Sequence, residues 1–384
     1  MSSWNSPNKV LYGTGSSKTV GQQLVKFGCK KVIVVYDKGI EAAGIVAKIL
    51  GYIEEAGIEI VKYGDCLSDA PDYTINEAGA LARKENVDGV VAVGGGSSLD
   101  TGKGVCILLS NEPPIQQYFA QPSKPPAGDI SNLKPLILLP TTAGTGSEVT
   151  PGGAVADTEH NTKENFVCPI SLGIIDPELT LGLPASVTAT TGMDAFCHAF
   201  EAVTSNDPNP FSNLYGGKAL SLVAKYLARA CKDGSDLEAR EGLHLAATMA
   251  SMSILGPFCN IPHDTGAVIC MDHNIPHGIA VSACLPEIIK FIAPACPEKL
   301  RIVAKAFGLE DVSDAEIGDK LSEAVLNLMN EVNMPPLSKF IKTKEDLLAS
   351  VPKIMETQNF FFSSRPVTES DVTDILSKSW DLRN

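Results

Sequence analysis

The chain has 384 residues, more than one hydrophobic core usually serves, so its length favours two domains. Hydrophobic residues make up 44% and charged residues 20%, which excludes a collagen-like or low-complexity chain and disfavours extended disorder. The formal net charge of −14 repels phosphate backbones and anionic membrane surfaces. Nucleic acids and membranes are therefore not expected partners.

Ten cysteines lie scattered along the chain without a Cys-x-x-Cys motif or a regular spacing. We expect them to be reduced core thiols rather than a disulfide framework. The first residues do not show the pattern of a secretory signal peptide, which is a basic segment followed by an apolar run. No window contains eighteen consecutive uncharged apolar residues. These features predict a cytoplasmic protein without a membrane span.

In the first half of the chain, short runs of β-branched residues alternate with longer helical patterns, which predicts a parallel sheet flanked by helices. The predicted strands are residues 31–36, 58–62, 89–93 and 135–140. Helical patterns cover residues 40–56, where Gly44 and Gly51 interrupt the pattern, and residues 74–86.

Strand signals disappear after residue 183, where segments rich in Ala, Leu and Glu predict an all-helical domain. Breaks in this pattern lie near residues 206–210, 232–235 and 308–314. The predicted domains are therefore an α/β domain of residues 1–183 and a helical domain of residues 184–384.

Glycines 94–96 end the third predicted strand, and a helix is predicted to begin at Ser97. Such a turn offers free backbone N–H groups and a positive helix end to a pyrophosphate. Because the spacing is not Gly-x-Gly-x-x-Gly, a purely structural turn is the alternative. A second turn of hydroxyl and glycine residues, 141–148, follows the next strand at the edge where α/β sheets bind ligands. Together the two turns favour a nucleotide site.

Asp37 directly follows the first predicted strand. A carboxylate at that place can accept hydrogen bonds from ribose hydroxyls and would repel a 2′-phosphate, which favours NAD over NADP. The alternative is a solvated turn residue.

Asp194 and His198 are four residues apart in a predicted helix and therefore lie on one face, where they could bind one metal ion. An aspartate that merely orients a histidine is the alternative. His263 and His277 favour the metal, because they are expected in polar breaks between apolar helical segments. One carboxylate and three imidazoles suit Fe²⁺ or Zn²⁺. Such an ion would lower the pKa of an alcohol oxygen and assist hydride transfer to a nicotinamide.

The chain has three further histidines. His160 is predicted to be an exposed turn residue and His244 a packed helix residue. For His273 the sequence allows two interpretations, a functional residue or an ordinary loop residue.

Four segments in this order carry a resemblance to a known family: GGGSSLDTGK at 94–103, PTTAGTGSEVT at 140–150, GMDAFCHAFE at 192–201, and Pro-His-Gly at 276–278. They resemble the iron-containing (group III) alcohol dehydrogenases, which include lactaldehyde reductases, 1,3-propanediol dehydrogenases and butanol dehydrogenases. The resemblance implies a dinucleotide-binding α/β domain followed by an all-α domain, an architecture similar to that of dehydroquinate synthase.

The same resemblance implies that NAD(H) and one divalent ion, Fe²⁺ or Zn²⁺, are the cofactors. The implied metal ligands are Asp194, His198, His263 and His277. The implied cofactor-binding residues are Gly95, Gly96 and Ser97 at the pyrophosphate, with Asp37, Asp100, Thr141, Thr142, Thr145 and Lys163 at further contacts.

The chain departs from the family at Ala267, where many relatives have a second histidine four residues after the one at 263. A proton relay through that imidazole is therefore not expected, and the substrate pocket is expected to differ. His273 could take over the relay if its side chain turns toward the substrate.

The expected activity is NAD(H)-linked, metal-dependent interconversion of a short-chain alcohol and its aldehyde. One alternative is a reductase for a short polar or anionic aldehyde, such as sulfoacetaldehyde or succinic semialdehyde. Another is a relative that binds metal and nucleotide without redox turnover. The resemblance also implies a homo-oligomer built on a dimer.

Overall fold

A computed structural model describes residues 4–5, 8–120, 128–207, 209–357 and 359–383. These residues divide into two compact units. The α/β unit comprises the described residues within 8–142 and 146–180. The helical unit comprises those from 181 onward, together with 143–145 and the N-terminal residues Trp4 and Asn5.

The strands of the α/β unit are β1 (Val10–Tyr12), β2 (Lys31–Val35), β3 (Glu59–Tyr63), β4 (Gly89–Gly94), β5 (Leu136–Pro140), β6 (Gly152–Asp157), β7 (Thr162–Val167) and β8 (Leu172–Ile175). Within the described residues, β6 and β7 form an antiparallel hairpin and the others form a parallel sheet in the order β1-β8-β5-β4-β2-β3. Because all neighbours in the sheet are parallel, the carboxyl ends of its strands share one edge.

The central strands β2, β4 and β5 carry continuous apolar runs because both faces of the sheet are covered. Ile33 and Val90 belong to one hydrophobic core, whereas Val32 and Val91 belong to a second core. The helices of this unit are α1 (Val20–Lys26), α2 (Lys38–Ala42), α3 (Ile45–Glu54), α4 (Asp72–Lys84) and α5 (Gly96–Ser110).

The predicted parallel sheet with flanking helices is confirmed, but two details differ. The single helical segment expected over 40–56 is wrong, because Gly44 adopts a left-handed backbone with φ of 75° and separates α2 from α3. Strands β1 and β8 and the β6–β7 hairpin were not predicted, since β1 and β8 have three and four residues and the hairpin is partly polar.

The α-helices of the helical unit are α6 (Ala185–Thr204), α7 (Pro210–Lys232), α8 (Leu237–Ser253), α9 (Ile261–His273), α10 (His277–Ala283), α11 (Leu285–Ile292), α12 (Pro297–Lys305), α13 (Ile317–Glu331), α14 (Lys344–Leu348), α15 (Val351–Met355) and α16 (Glu369–Arg383). Short 3-10 helices lie at Ser16–Thr19, Ile115–Tyr118 and Pro177–Thr180 in the α/β unit, and at Leu337–Lys339 and Asn359–Phe362 in the helical unit. The described part of this unit contains no strand, as the sequence predicts.

Helix α6 forms the centre of the helical unit. Every residue from Gly192 to Thr204 is buried, and α7, α8, α9, α10 and α12 pack against it. A helix buried on all sides offers a dry, fixed support for any polar side chain that it carries. Across the described residues, no helix is both long enough and apolar enough to span a membrane.

Candidate metal and nucleotide sites

Four side chains proposed from the sequence as metal ligands meet in the helical unit. Oδ1 of Asp194 lies 3.9 Å from Nδ1 of His198, 3.5 Å from Nε2 of His263 and 3.9 Å from Nε2 of His277. The rings of His198 and His263 stack with centroids 4.5 Å apart, and the ring of His277 tilts against that of His263 at 5.4 Å. One buried carboxylate is thus surrounded by three imidazoles.

Three helices bring these residues together. Asp194 and His198 lie one turn apart in α6, whereas His263 lies in the first turn of α9 and His277 is the first residue of α10. The expectation that the latter two lie in polar breaks is therefore wrong, because each belongs to a helix start.

Two glycines allow the three helices to approach so closely. A Cβ at Gly278, next to His277, would lie 2.2 Å from the backbone oxygen of Thr190 in α6. A Cβ at Gly266 in α9 would lie 2.5 Å from the Cα of Val281 in α10. Both distances are far below van der Waals contact, so the packing that places the imidazoles requires glycine at these positions.

The polar atoms of this cluster fit a divalent ion. Among the described residues, Oδ1 of Asp194, Nδ1 of His198 and Nε2 of His263 are buried without a hydrogen-bond partner. Buried polar atoms are normally satisfied, so atoms left without partners point to a ligand. Ligand atoms about 2.1 Å from a tetrahedral ion lie ~3.4 Å from one another, close to the separations within the cluster.

Burial alone would raise the pKa of Asp194, but the positive charges of His198 and its neighbouring imidazoles hold it well below the usual range. The carboxylate is therefore ionised and supplies a negative charge to the cluster. Burial would lower the pKa of His198 and His263, but the negative charge of Asp194 raises that of His198, and Cys259 and Glu201 raise that of His263. Neutral imidazole is the form that binds metal, so an ion that binds here displaces these protons.

Glu201, for which the sequence suggested no role, orients one of the imidazoles. Its fully buried carboxylate accepts hydrogen bonds from the backbone N–H of Asn260 at 2.8 Å and of His263 at 3.0 Å. It also accepts a hydrogen bond from Nδ1 of His263. This contact leaves Nε2 of His263 as the nitrogen that faces the cluster. The spacing of 194, 198 and 201 on one helix face was an available signal for this role.

Cys259, expected as an ordinary core thiol, lies beside the cluster. Its sulfur and ring nitrogens of His198 and His263 all lie within 4.8 Å of one another. Asp194, His263 and His277 form a second such group, and the two groups share His263. Burial would raise the pKa of the Cys259 thiol, but the charge of His263 lowers it below its ordinary value.

The other histidines lie outside both donor groups. His160 is an exposed turn residue bonded to Asp157, and His244 is buried in α8, as the sequence predicts. His273 ends α9, where Nε2 lies 3.3 Å from the hydroxyl of Ser350. Ala267 is half-buried in the same helix and offers no polar group.

In the α/β unit, the two turns expected to bind phosphate lie side by side at the carboxyl ends of β4 and β5. The backbone N–H of Thr141 donates to the carbonyl of Gly94 at 2.9 Å, and Thr142 lies against Gly95. Helix α5 begins at Gly96, so its free N–H groups point out of this edge. The hydroxyl of Thr141 is buried and has no hydrogen-bond partner among the described residues.

Asp37 lies at the end of β2, along the same edge. One carboxylate oxygen caps α2 by accepting from the N–H groups of Gly39 at 2.8 Å and Ile40 at 3.1 Å. The other accepts from the hydroxyl of Ser98 in α5 at 3.2 Å. These bonds fix the carboxylate beside the glycine turn.

Three other candidate cofactor residues of the α/β unit already bond within the protein. The hydroxyl of Ser97 accepts from the N–H of Asp69, and Lys163 forms an ion pair with the same aspartate at 2.9 Å. Asp100 accepts from the N–H of Ala154 and from the buried Lys103. These contacts give each residue a structural role in the α/β unit.

Thr145, the remaining candidate, groups with the helical unit. Its carbonyl accepts from the hydroxyl of Ser251 in α8 at 2.7 Å. Its cofactor-binding role stays a prediction.

Comparison with known proteins gives the family. The model of the iron-containing alcohol dehydrogenases matches residues 7–177, and that of the C-terminal region of the Fe-containing alcohol dehydrogenases matches residues 188–380. A choline dehydrogenase from Bacillus subtilis (strain 168) is 32% identical over 381 residues, which cover 98% of this chain and 94% of that protein. The chain belongs to the iron-containing alcohol dehydrogenase family.

Solved structures of the family share the whole fold. A 1,3-propanediol oxidoreductase has a TM-score of 0.93 and 31% identity, covering 99% of this chain and 100% of that one. A sulfoacetaldehyde reductase from Bifidobacterium kashiwanohense, solved in complex with NAD+, has a TM-score of 0.86 and 25% identity, covering 100% and 98%. The predicted family, fold class and enzyme type are confirmed, and so are NAD-dependent alcohol and aldehyde oxidoreduction and the predicted cofactors, NAD(H) with a divalent metal ion.

If Glu201 orients His263, the substitution Glu201→Gln should weaken the binding of a divalent ion by about 10- to 100-fold, because the amide holds the imidazole less firmly in the ligating form. Competition of Zn²⁺ between the protein and a chelator measures the change. Glu287→Gln is the matched control, since Glu287 is a buried carboxylate of the same unit that pairs with Lys290. Equal Zn²⁺ affinities of Glu201→Gln and the wild-type protein would contradict this role.

Proposed function

We propose that this NAD(H)- and metal-dependent enzyme interconverts a short-chain alcohol and its aldehyde at the cluster around Asp194. The observation that carries this proposal is that His198, His263 and His277 surround the buried carboxylate of Asp194. Polar atoms of Asp194, His198 and His263 there have no hydrogen-bond partner among the described residues. A family member with this donor set and a nucleotide-binding edge has the parts that hydride transfer requires.

In this proposal the four residues hold one divalent ion, Fe²⁺ or Zn²⁺. When bound, the ion polarises the oxygen of the alcohol or carbonyl group. Asp194 supplies the negative charge that offsets the ion, and Glu201 keeps the ring of His263 in the ligating orientation. The buried environment of α6 keeps bulk water away from the ligands, which strengthens their electrostatic effect.

The α/β unit binds the dinucleotide. Gly95 and Gly96 let the pyrophosphate approach the backbone at the start of α5, where free N–H groups can donate to it. Thr141, with its unpartnered hydroxyl, and Thr142 line the same turn. Asp37 accepts from the ribose hydroxyls and disfavours a 2′-phosphate by charge repulsion. Ser97, Asp100 and Lys163 position this region through the contacts described above.

The substrate is proposed only as a class. By their names, the relatives described above act on choline, propanediol and sulfoacetaldehyde, which carry a positive, a neutral and a negative group. A short neutral aldehyde is the leading candidate and a short anionic aldehyde the second. With Ala267 in place of an imidazole, the proton leaves through water, a ribose hydroxyl or His273 in this proposal.

We also propose a domain boundary at 183/184, a homo-oligomer built on a dimer and a cytoplasmic location. The first family model ends at residue 177 and the second begins at residue 188, on either side of this boundary, which supports it. All ten cysteines are free thiols, which supports a reducing compartment.

The proposal is tested by anaerobic oxidation of NADH with a panel of neutral and anionic short aldehydes, using protein stripped of metal and then reloaded with Fe²⁺ or Zn²⁺. We expect turnover only after reloading, and the panel ranks the substrates. The variant His277→Ala should lose more than ~100-fold of the reloaded activity while it binds NADH as well as the wild type, since the nucleotide contacts lie in the other unit.

His160→Ala is the matched control, because His160 is exposed and outside the donor groups. It should retain wild-type turnover. Full activity of metal-free His277→Ala would contradict the metal-dependent mechanism. NADH binding without turnover on any aldehyde would favour a relative that lacks redox activity.

The role of Asp37 predicts a change in nucleotide preference. Asp37→Asn keeps an oxygen that can cap α2 but removes the negative charge, so the ratio of kcat/KM for NADH over NADPH should fall by about tenfold. Steady-state kinetics with both nucleotides measure the ratio. Asp88→Asn makes the same charge change at the amino end of β4 and should leave the ratio unaltered. An unchanged ratio of kcat/KM for NADH over NADPH in Asp37→Asn would contradict the proposed contact of Asp37 with the ribose.

A further inference from the structure

The connection between β3 and α4 leaves the sheet at the same edge as the glycine turn, and its backbone is unusual. Asp69 and Ala70 are consecutive and both left-handed, with φ of 60° and 46°. This conformation is costly for residues other than glycine and persists only where the surrounding structure enforces it. Strain of this kind clusters at sites that hold a ligand, so the contacts that enforce it here indicate what the connection does.

Asp69 links two parts of the α/β unit. Its backbone N–H donates to the hydroxyl of Ser97, in the first turn of α5, at 3.0 Å. Its carbonyl accepts from the N–H of Ala156 in β6 at 2.9 Å. Oδ1 of its carboxylate lies 2.9 Å from Nζ of Lys163 in β7. One residue therefore joins the helix start that follows the glycine turn to both strands of the β6–β7 hairpin.

The ion pair between Asp69 and Lys163 is partly buried. The side chain of Lys163 is 17% exposed and that of Asp69 is 33% exposed, while Ala70 is fully buried in the core beside them. An exposed ion pair contributes little, because ordering two long side chains costs entropy. Here the backbone of Asp69 is already fixed, so its carboxylate holds the ammonium of Lys163 in one place.

The charge of Asp69 is significant because of what the edge is proposed to bind. In our proposal the anionic pyrophosphate lies at the start of α5, next to Ser97, to which Asp69 is bonded. A carboxylate without a counter-charge would repel the pyrophosphate there. Lys163 supplies that counter-charge, and an ammonium group carries three N–H donors, so one cation can serve a carboxylate and an anionic ligand together.

We propose that Asp69 is a positioning residue of the nucleotide site: its carboxylate holds the ammonium of Lys163 beside the first turn of α5, where the ammonium attracts the anionic nucleotide. This inference rests on the proposed nucleotide site. Asp69 acts on nucleotide binding through Lys163 and not by its own contact with the nucleotide. The left-handed backbone directs the N–H group, the carbonyl and the carboxylate of one residue toward two different elements.

Asp69→Asn tests the proposal, because asparagine tolerates a left-handed backbone and the change removes only the charge. Loss of a negative charge near an anion should by itself tighten NADH binding, whereas loss of the positioned ammonium should weaken it. We expect the Kd for NADH, measured by fluorescence titration, to rise about fivefold. The KM for NADH should rise by a similar factor while kcat stays within about twofold of the wild type. Asp69→Gly accepts the same backbone and also lacks the carboxylate, so it should give the same rise.

A double-mutant cycle with Lys163→Met separates positioning from direct contact. If Asp69 acts through Lys163, adding Asp69→Asn to Lys163→Met should change the Kd for NADH by less than about twofold. Glu85→Gln is the matched control, since Glu85 pairs with Lys31 at the same 2.9 Å but at the amino end of β2. It should leave the Kd for NADH unaltered.

A Kd for NADH that falls or stays unchanged in Asp69→Asn would overturn the role of Asp69 and leave the proposed function intact. Losses of affinity that multiply in the double variant would do the same, because Asp69 would then act independently of Lys163. A wild-type protein that binds no NADH would overturn both.

Discussion

The buried carboxylate of Asp194 imposes the central constraint on the helical unit. An isolated charge in a protein interior is costly, so the surrounding structure must supply compensating groups. The three imidazoles do so, and their arrangement requires α10 to approach α6 as closely as Gly278 allows and α9 to approach α10 as closely as Gly266 allows. Ligand atoms of Asp194, His198 and His263 have no hydrogen-bond partner among the described residues, and Glu201 orients one ring. In our proposal the cluster is therefore arranged to receive a positive ion.

In our proposal, the two units recognise their ligands by different physical means. The nucleotide edge relies on backbone N–H groups, a helix start and hydroxyls, which suit a diffuse anionic pyrophosphate. Asp37 adds a charged side chain to this set, since in our proposal its carboxylate both caps α2 and accepts hydrogen bonds from the ribose. The metal cluster instead relies on charged and imidazole side chains fixed by helix packing. Substitutions in one set are therefore expected to leave binding by the other largely intact.

Much of this arrangement could be predicted from the sequence. Apolar β-branched runs predicted β2, β3, β4 and β5, and the four-residue spacing of Asp194 and His198 placed both on one helix face. His263 and His277 were joined to them by their expected place in polar breaks and by the family resemblance, because no local spacing encodes a contact between separate helices. Cys259 escaped prediction for the same reason. The helix break at Gly44 depends on a left-handed backbone that a periodic pattern does not reveal.

The central claim is that the cluster around Asp194 is a divalent metal site, and thermal unfolding of the metal-free protein with and without Zn²⁺ tests it most directly. An ion that binds only the folded chain should stabilise it by about 4 kcal/mol at a concentration 1,000 times its Kd, which raises the Tm. We predict this rise for the wild type and its loss in Asp194→Asn. A Tm that Zn²⁺ leaves unchanged in the wild type, or raises equally in Asp194→Asn, would contradict the account.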